Sequence, residues 1–292
     1  EACKAANSRG QQVYVQIPCQ PLSFDFTMAN AYPFYSHDAF GAIKACPPDE
    51  LKNIFSDTDF RDRFRSSLQN PRPGMIFQGN WNRVTVAVPV LEKNTHLANQ
   101  TIESIARNQG TDPLDVIMDL SLEEDLKTTF IGQFLNVGDD GVAELLQHES
   151  GVVSLSDAGA HLVFMCDAGF GLHFLGKWVR ERGDFSLAQG IQRLTSHPAD
   201  LYGLIDRGRI QPGAHADMML FDLEKVGVTP TERVCDLPGG GPRTIRRPVG
   251  LHSVFVNGIE VFDGKDYVEH TSGPGHILDR FQLSKNNHSA ST

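Results

Sequence analysis

A chain of 292 residues, 40% hydrophobic and 21% charged, can bury one large core or two modest ones and is not composed like a disordered protein. Its formal charge of −10 argues against a nucleic-acid partner; the basic residues Arg243, Arg246 and Arg247 form a small local exception that reads as a loop. No run of about 18 apolar residues occurs and the first residues lack the charged and apolar regions of a signal peptide, so no membrane partner is expected and a cytoplasmic location is the default.

Glu1 to Ser8 followed by Gly10 reads as the last turns of a helix closed by a glycine, which places the start of the chain inside a domain. Gln12 to Ile17 alternates and is rich in β-formers, so a strand is expected directly after that helix. From Pro18 to about Pro89 a long excursion rich in Pro, Gly, Phe and Asn carries one clear helix, Asp59 to Leu68, and a short strand, Val84 to Val88. Helical spacing returns over Ile102 to Asn108 and Pro113 to Glu123, broken at Gly110 and Asp112. Asp139 or Asp140 is the expected cap of a helix through Leu146, ahead of a second strand, Val152 to Leu155. Leu172 to Arg182 reads as an amphipathic helix. Ser186 then caps a further helix whose core face is Leu187, Ile191 and Leu194, with Pro198 interrupting it before Leu201 to Leu204.

From Arg207 the texture changes to short strands: Arg209 to Ile210, Ala216 to Phe221, and Ser253 to Val256 with Ile259 to Val261. Asn257-Gly258 between the last two is a strong hairpin signal. The expected division is a helix-and-strand portion over residues 1–205, a small β-rich domain over 206–275, and a tail over 276–292. The five cysteines are scattered, odd in number and never in a C-x-x-C pair, so neither a disulfide framework nor a cysteine zinc site is indicated.

The stretch with chemical content is Ser154 to His161, SLSDAGAH, which sets Asp157 just past the end of a buried strand and His161 four residues on. Barrel enzymes keep their catalysts at that end of a strand. An aspartate there can ligate a metal and take a proton from metal-bound water, and Gly159 and Ala160 leave room for substrate. A turn-capping aspartate and a hydrogen-bonded loop histidine fit the same positions and stay open on position alone. His173 reads either as part of an altered pocket or as a packing residue. His96, His148, His197, His215 and His252 show no ligand spacing.

Downstream, TSHPADLYGL runs into RGRIQPGAHADMMLFD. Thr195, Pro198, Ala199, Gly203, Leu204, Arg207, Gly208, Ile210, Pro212, Gly213, Ala216, Asp217, Phe221 and Asp222 resemble the passage by which the amidohydrolase superfamily leaves its barrel for a small β-domain. Together with SDAGAH and WVRERGDFSLAQGI, they are most similar to the branch of N-acyl-D-amino-acid deacylases, the D-aminoacylases. The match is strong over residues 150–280 and looser before. The resemblance implies an α/β fold, the C-terminal part of a metal-dependent TIM-like (β/α)8 barrel holding strands seven and eight, followed by a small β-sandwich domain.

The resemblance further implies zinc, one or two ions, and a water that attacks the acyl carbonyl of a small-molecule N-acyl amino acid. Asp157 would be the proton carrier and a metal ligand, and His161 a side chain for the substrate's carboxylate. The remaining ligands of such a site are histidines on earlier strands, so the chain is expected to need a missing N-terminal half and to be inactive alone. Asp217 and the matched glycines are expected to be structural. Two alternatives stand beside the linear amidase: a cyclic amidase of the dihydroorotase or hydantoinase kind, and a non-catalytic scaffold subunit. The retained Asp157 speaks against the scaffold.

Overall fold

The computed structural model describes residues 2–154, 156, 167–279 and 281 and is a mixed α/β structure. Ala2–Ser8 forms the expected short helix, and the amide of Gln11 closes it on the Ala6 carbonyl. The strand that follows, β1, is shorter than the alternation promised and covers Val15–Ile17. It pairs in parallel with β5, Gly151–Val153, in the register Val15 with Gly151 and Ile17 with Val153. Parallel neighbours need a long connection between them. Here that connection is the whole excursion from Pro18 to Ser150.

The excursion is built around one antiparallel sheet, β2 (Leu22–Phe26), β3 (Val84–Val88) and β4 (Thr129–Leu135), in the order β2-β4-β3. Neither β2 nor β4 was anticipated from the sequence, nor was the helix Pro48–Ser56 that precedes Thr58–Gln69. The sheet has two unlike faces because side chains alternate along a strand. Phe26, Phe130, Val84 and Val86 point into an apolar core, whereas Ser23 and Asp25 point the other way, with Gln133 donating to the Ser23 hydroxyl at 3.0 Å. Phe34 sits at the middle of that core, its ring centroid 5.0–5.5 Å from those of Phe26, Phe40, Phe64 and Phe77. Such tilted and edge-on aromatic packing adds to plain burial.

The helices Ile102–Gln109 and Pro113–Glu123 appear where the spacing set them; Thr101 and Asp112 cap them, and Gly110 is left-handed between them. Glu124 follows, buried, and accepts from the amides of Val90 and Leu91, from Asn94 Nδ2 and from the Thr128 hydroxyl, at 2.7–3.0 Å. Burial alone would push its carboxyl up, yet these bonds hold it below the usual carboxylate range. It ties the loop at Val90 to the start of β4, and a structural task is all that its bonds require.

A second core backs the parallel pair. Ile17 and Val153 pack with Val142, Leu146, Phe174, Leu175, Trp178 and Val226. The helix Asp139–Gln147 is capped by the Gly138 backbone rather than by an aspartate. Asp139 and Asp140 lie in its first turn and pair instead with Lys177 and Arg182. The expected amphipathic helix from Leu172 is a short α-helix, Phe170–His173, continued by a π-helical stretch, Phe174–Glu181, whose buried face carries Leu175, Trp178 and Val179. Gly176 is where another chain segment comes close: a Cβ there would lie 2.6 Å from the Val226 carbonyl oxygen. Arg180 clamps the same approach by donating to the Leu223 and Val226 carbonyls. Ser186 and Gln189 form a complete capping box for Leu187–Leu194, though Leu187 is exposed and only Ile191 and Leu194 reach the core.

After the helix Ser196–Tyr202 the chain is β-rich. β6 (Met218–Phe221), β11 (Leu251–Val256) and β12 (Ile259–Phe262) form one antiparallel sheet in the order β12-β11-β6; β7 (Gly227–Val228) pairs with β10 (Pro248–Val249), and β8 (Glu232–Leu237) pairs with β9 (Gly241–Ile245). Asn257-Gly258 turns the β11–β12 hairpin with both residues at positive φ, as its sequence demanded. Arg209 to Ile210 is not a strand: Ile210 is exposed and Arg209 pairs with Asp200. Among the described residues no helix is long and apolar enough to cross a membrane.

Candidate active site

The two parallel strands aim their carboxyl ends at one place, and the residues that follow them build its described part. After β1, Cys19 is fully buried; its thiol donates to the Phe170 carbonyl at 3.2 Å while its own carbonyl accepts from the Trp178 indole at 2.6 Å. Burial pushes that thiol up to about 12, so it is a packing donor and not a nucleophile. Gln20, also buried, donates to the Asp167 carbonyl at 2.6 Å and accepts from Arg246 Nη1 at 3.0 Å. Asn136, past the end of β4, donates to the carbonyls of Pro18 and Gln20 and fixes the shape of the turn after β1. Asp167 is buried beside them, and its carboxylate accepts from the Ser23 amide at 3.4 Å.

Two titratable groups face this cluster. His173, one turn along the helix, is pushed down to about 4, first by burial and then by the positive charges of Arg246 and Lys177. It is a neutral, half-buried imidazole at the edge of the mouth, which favours the packing reading. Arg246 comes from the far end of the sequence, on the turn after β9. The basic trio that read as a loop is in fact split: Arg243 lies in β9 and pairs with Asp236, Arg246 reaches Gln20, and Arg247 pairs with Glu232.

Asp157 and His161 lie outside the described residues. β5 ends at Val153, so Asp157 follows it in sequence by four residues. At the last described positions before it, Gln16 Nε2 lies 3.4 Å from Ser154 Oγ across the strand pair. The other histidines singled out in the sequence do not gather. His96 bonds the Lys93 carbonyl, His148 accepts from the Ser150 amide, and His215 lies 3.4 Å from Asp206. Among the described residues no three His, Cys, Asp or Glu side chains come together in a way that could hold a metal ion, so the described residues alone do not fit zinc.

The long downstream motif turns out to be architecture. Gly208 is left-handed at φ +79°, and a Cβ on it would lie 2.8 Å from the Ala199 Cβ and 3.0 Å from the Thr195 carbonyl oxygen. Three matched positions therefore meet at one close approach. Asp217 accepts the Asn257 amide at 2.8 Å and pairs with Arg207, which also donates to the Asn257 side chain; this binds the passage to the β11–β12 turn.

Gln20, Asp25 and Arg233 were not singled out in the sequence, and Arg246 only as part of a basic loop. Their signals were weak but present: the S-F-D alternation in Leu22 to Phe26, and a Pro-Gly-Gly-Gly-Pro turn between two β-prone runs around Arg233 and Arg246.

Comparison with known proteins gives the chain a family. A family model described as "Amidohydrolase family" matches residues 78–261, more than half of the chain, and the chain belongs to that family. It is 35% identical over 106 residues to an N-acyl-D-glutamate deacylase of Alcaligenes xylosoxydans xylosoxydans, covering 36% of this chain and 19% of that protein. It is 37% identical over 102 residues to an N-acyl-D-aspartate deacylase of the same organism, covering 34% and 18%. The chain thus spans about a fifth of the length of the curated relatives it matches. A solved N-acyl-D-glutamate deacylase from Bordetella bronchiseptica, complexed with zinc and a phosphonate inhibitor, superposes at a TM-score of 0.43 with 20% identity over 90% of this chain and 43% of that one.

Proposed function

We propose that residues 1–292 are the C-terminal part of a hydrolase that cuts a linear C–N amide bond, deacylating N-acyl-D-amino acids. The observation that carries the reading is the parallel pairing of β1 with β5, which directs the ends of both strands toward one polar mouth, with Asp157 four positions after β5 in sequence. In this reading β1 and β5 are strands seven and eight of a (β/α)8 barrel, residues 206–275 are a small β-sandwich domain, and 276–292 are a tail. Two strands cannot close a barrel, so the preceding part of the same protein supplies the remaining strands. Residues 1–292 alone are then inactive.

Within that site Asp157 carries the proton: it takes one from the attacking water and returns it to the departing nitrogen. Asp157 is also the one metal ligand proposed from this chain, with zinc completed by side chains that precede residue 1. His161 takes the substrate's carboxylate. Gln20, Asn136 and Arg246 hold the turn after β1 in place, which keeps the wall of the mouth rigid.

The test is turnover of N-acetyl-D-amino acids by the whole protein that contains residues 1–292 and by its Asp157→Asn variant, with bound zinc measured in both. Turnover should drop roughly a hundredfold or more while most of the metal stays, the scale expected for loss of a general acid–base group. A fully active Asn variant refutes the role of Asp157; a whole protein without turnover on any N-acyl-D-amino acid refutes the substrate class.

A further inference from the structure

A cavity of about 390 Å³ opens on the polar face of the β2-β4-β3 sheet, between that sheet and the β8–β9 hairpin. Its lining includes Asp25, Thr27 and Asn30 from one side, Thr129 from β4, the Tyr32 ring, and Arg233 from β8. Asp25 and Arg233 are more than two hundred positions apart in sequence and bring opposite charges to the two walls. Among the described residues no ion pair joins them and neither side chain has a hydrogen-bond partner, yet the guanidinium is near enough to act on the carboxyl. Burial pushes the Asp25 carboxyl up to about 6, and Arg233 holds it back from rising further.

A half-buried carboxylate without a partner is costly, while the exposed Arg233 guanidinium on the opposite wall is open to an anion. Collapse into a direct salt bridge would remove the cost, but the two groups sit on separate rigid elements, Asp25 in a three-stranded sheet and Arg233 in a hairpin. What fills such a gap is a small molecule with a cation at one end and an anion at the other. We infer that this cavity binds a free amino acid as its zwitterion, the ammonium on Asp25 and the carboxylate on Arg233.

The inference rests on the deacylase reading and deepens it. An N-acyl amino acid has the carboxylate but no ammonium; the ammonium appears only when the amide is cut. A site with both charges therefore selects the released amine product over the substrate, and the neutral donors Thr27, Asn30 and Thr129 remain for the rest of the molecule.

The experiment is calorimetric titration of the full chain with D-alanine, N-acetyl-D-alanine and ethylamine, which carry both charges, the anion alone and the cation alone. D-alanine should bind at least about tenfold more tightly than either of the others, the scale of one charge-assisted hydrogen bond. Asp25→Asn and Arg233→Gln should each lower its affinity by about tenfold or more with unchanged far-UV circular dichroism, while Arg233→Lys should keep part of it. The inference is overturned if D-alanine does not bind, if it binds no better than the singly charged probes, or if both neutral substitutions leave it unchanged. Since no turnover is involved, binding of D-alanine by a protein that deacylates nothing would remove the deacylase reading and leave the cavity standing; active deacylation without such binding would do the reverse.

Discussion

The excursion between the parallel strands and the parallel strands themselves solve the problem of burial in opposite ways. The excursion encloses its own core: Phe34 touches four phenylalanines and is wholly buried, and the sheet needs no outside partner on its apolar face. Among the described residues the core cluster behind the parallel pair takes in Ile17 and Val153 on its helix side. β5 is buried along its length, but Val13, Tyr14 and Val15 leading into β1 are all exposed. Parallel strands are ordinarily covered on both faces. The difference separates a part that encloses its own core from a part whose entry strand stays exposed.

That contrast can be broken by substitution. The largest effect is expected for Phe34→Ala, which should cost about 3–5 kcal/mol in urea unfolding, the cost of emptying a packed aromatic site. A loss below about 1 kcal/mol would mean that the excursion is not a packed unit. A middle-sized effect is expected at the mouth. His173 has an ordinary value of 6.5 and stands at about 4 in the fold, so the unfolded chain takes up its proton first as pH falls. Stability should therefore be full above pH 6.5 and decline as pH drops from 6.5 through 4, by at most about 3 kcal/mol. His173→Gln should flatten this limb; an unchanged acid limb would assign it to other groups. The smallest effect belongs to the open edge, where Val15→Thr should shift stability by no more than about 0.5 kcal/mol in this chain. A cost of several kcal/mol there would show that the strand face is covered after all.

The mouth also shows how much a local motif can mislead about its own purpose. Where the best-matched passage of the chain, Thr195 to Asp222, makes its closest contacts they are structural: Gly208 fits against Ala199 and Thr195, and Asp217 locks a hairpin turn. The wall of the candidate site comes instead from unremarkable positions. Gln20 and Arg246 are 226 residues apart and meet through a single hydrogen bond. No spacing rule reaches that far.

Local order was readable where short-range physics is strong: the break between Ile102–Gln109 and Pro113–Glu123 at Gly110 and Asp112, the Ser186 cap and the Asn257-Gly258 turn each act through a few neighbouring residues. β2, β4, β8 and β9 escaped notice because a strand is stabilised by what lies beside it, and their neighbours are distant in sequence or hidden behind Pro- and Gly-rich stretches. Composition and motif alone determined that this is an α/β chain with a β-rich end and an amidohydrolase signature. Only the tertiary structure decided that β1 and β5 lie side by side, that Arg246 reaches Gln20 just past β1, and that Asp25 faces Arg233 across a cavity. Hydrogen bonding between strands and attraction between charges act through space, and folding sets those distances.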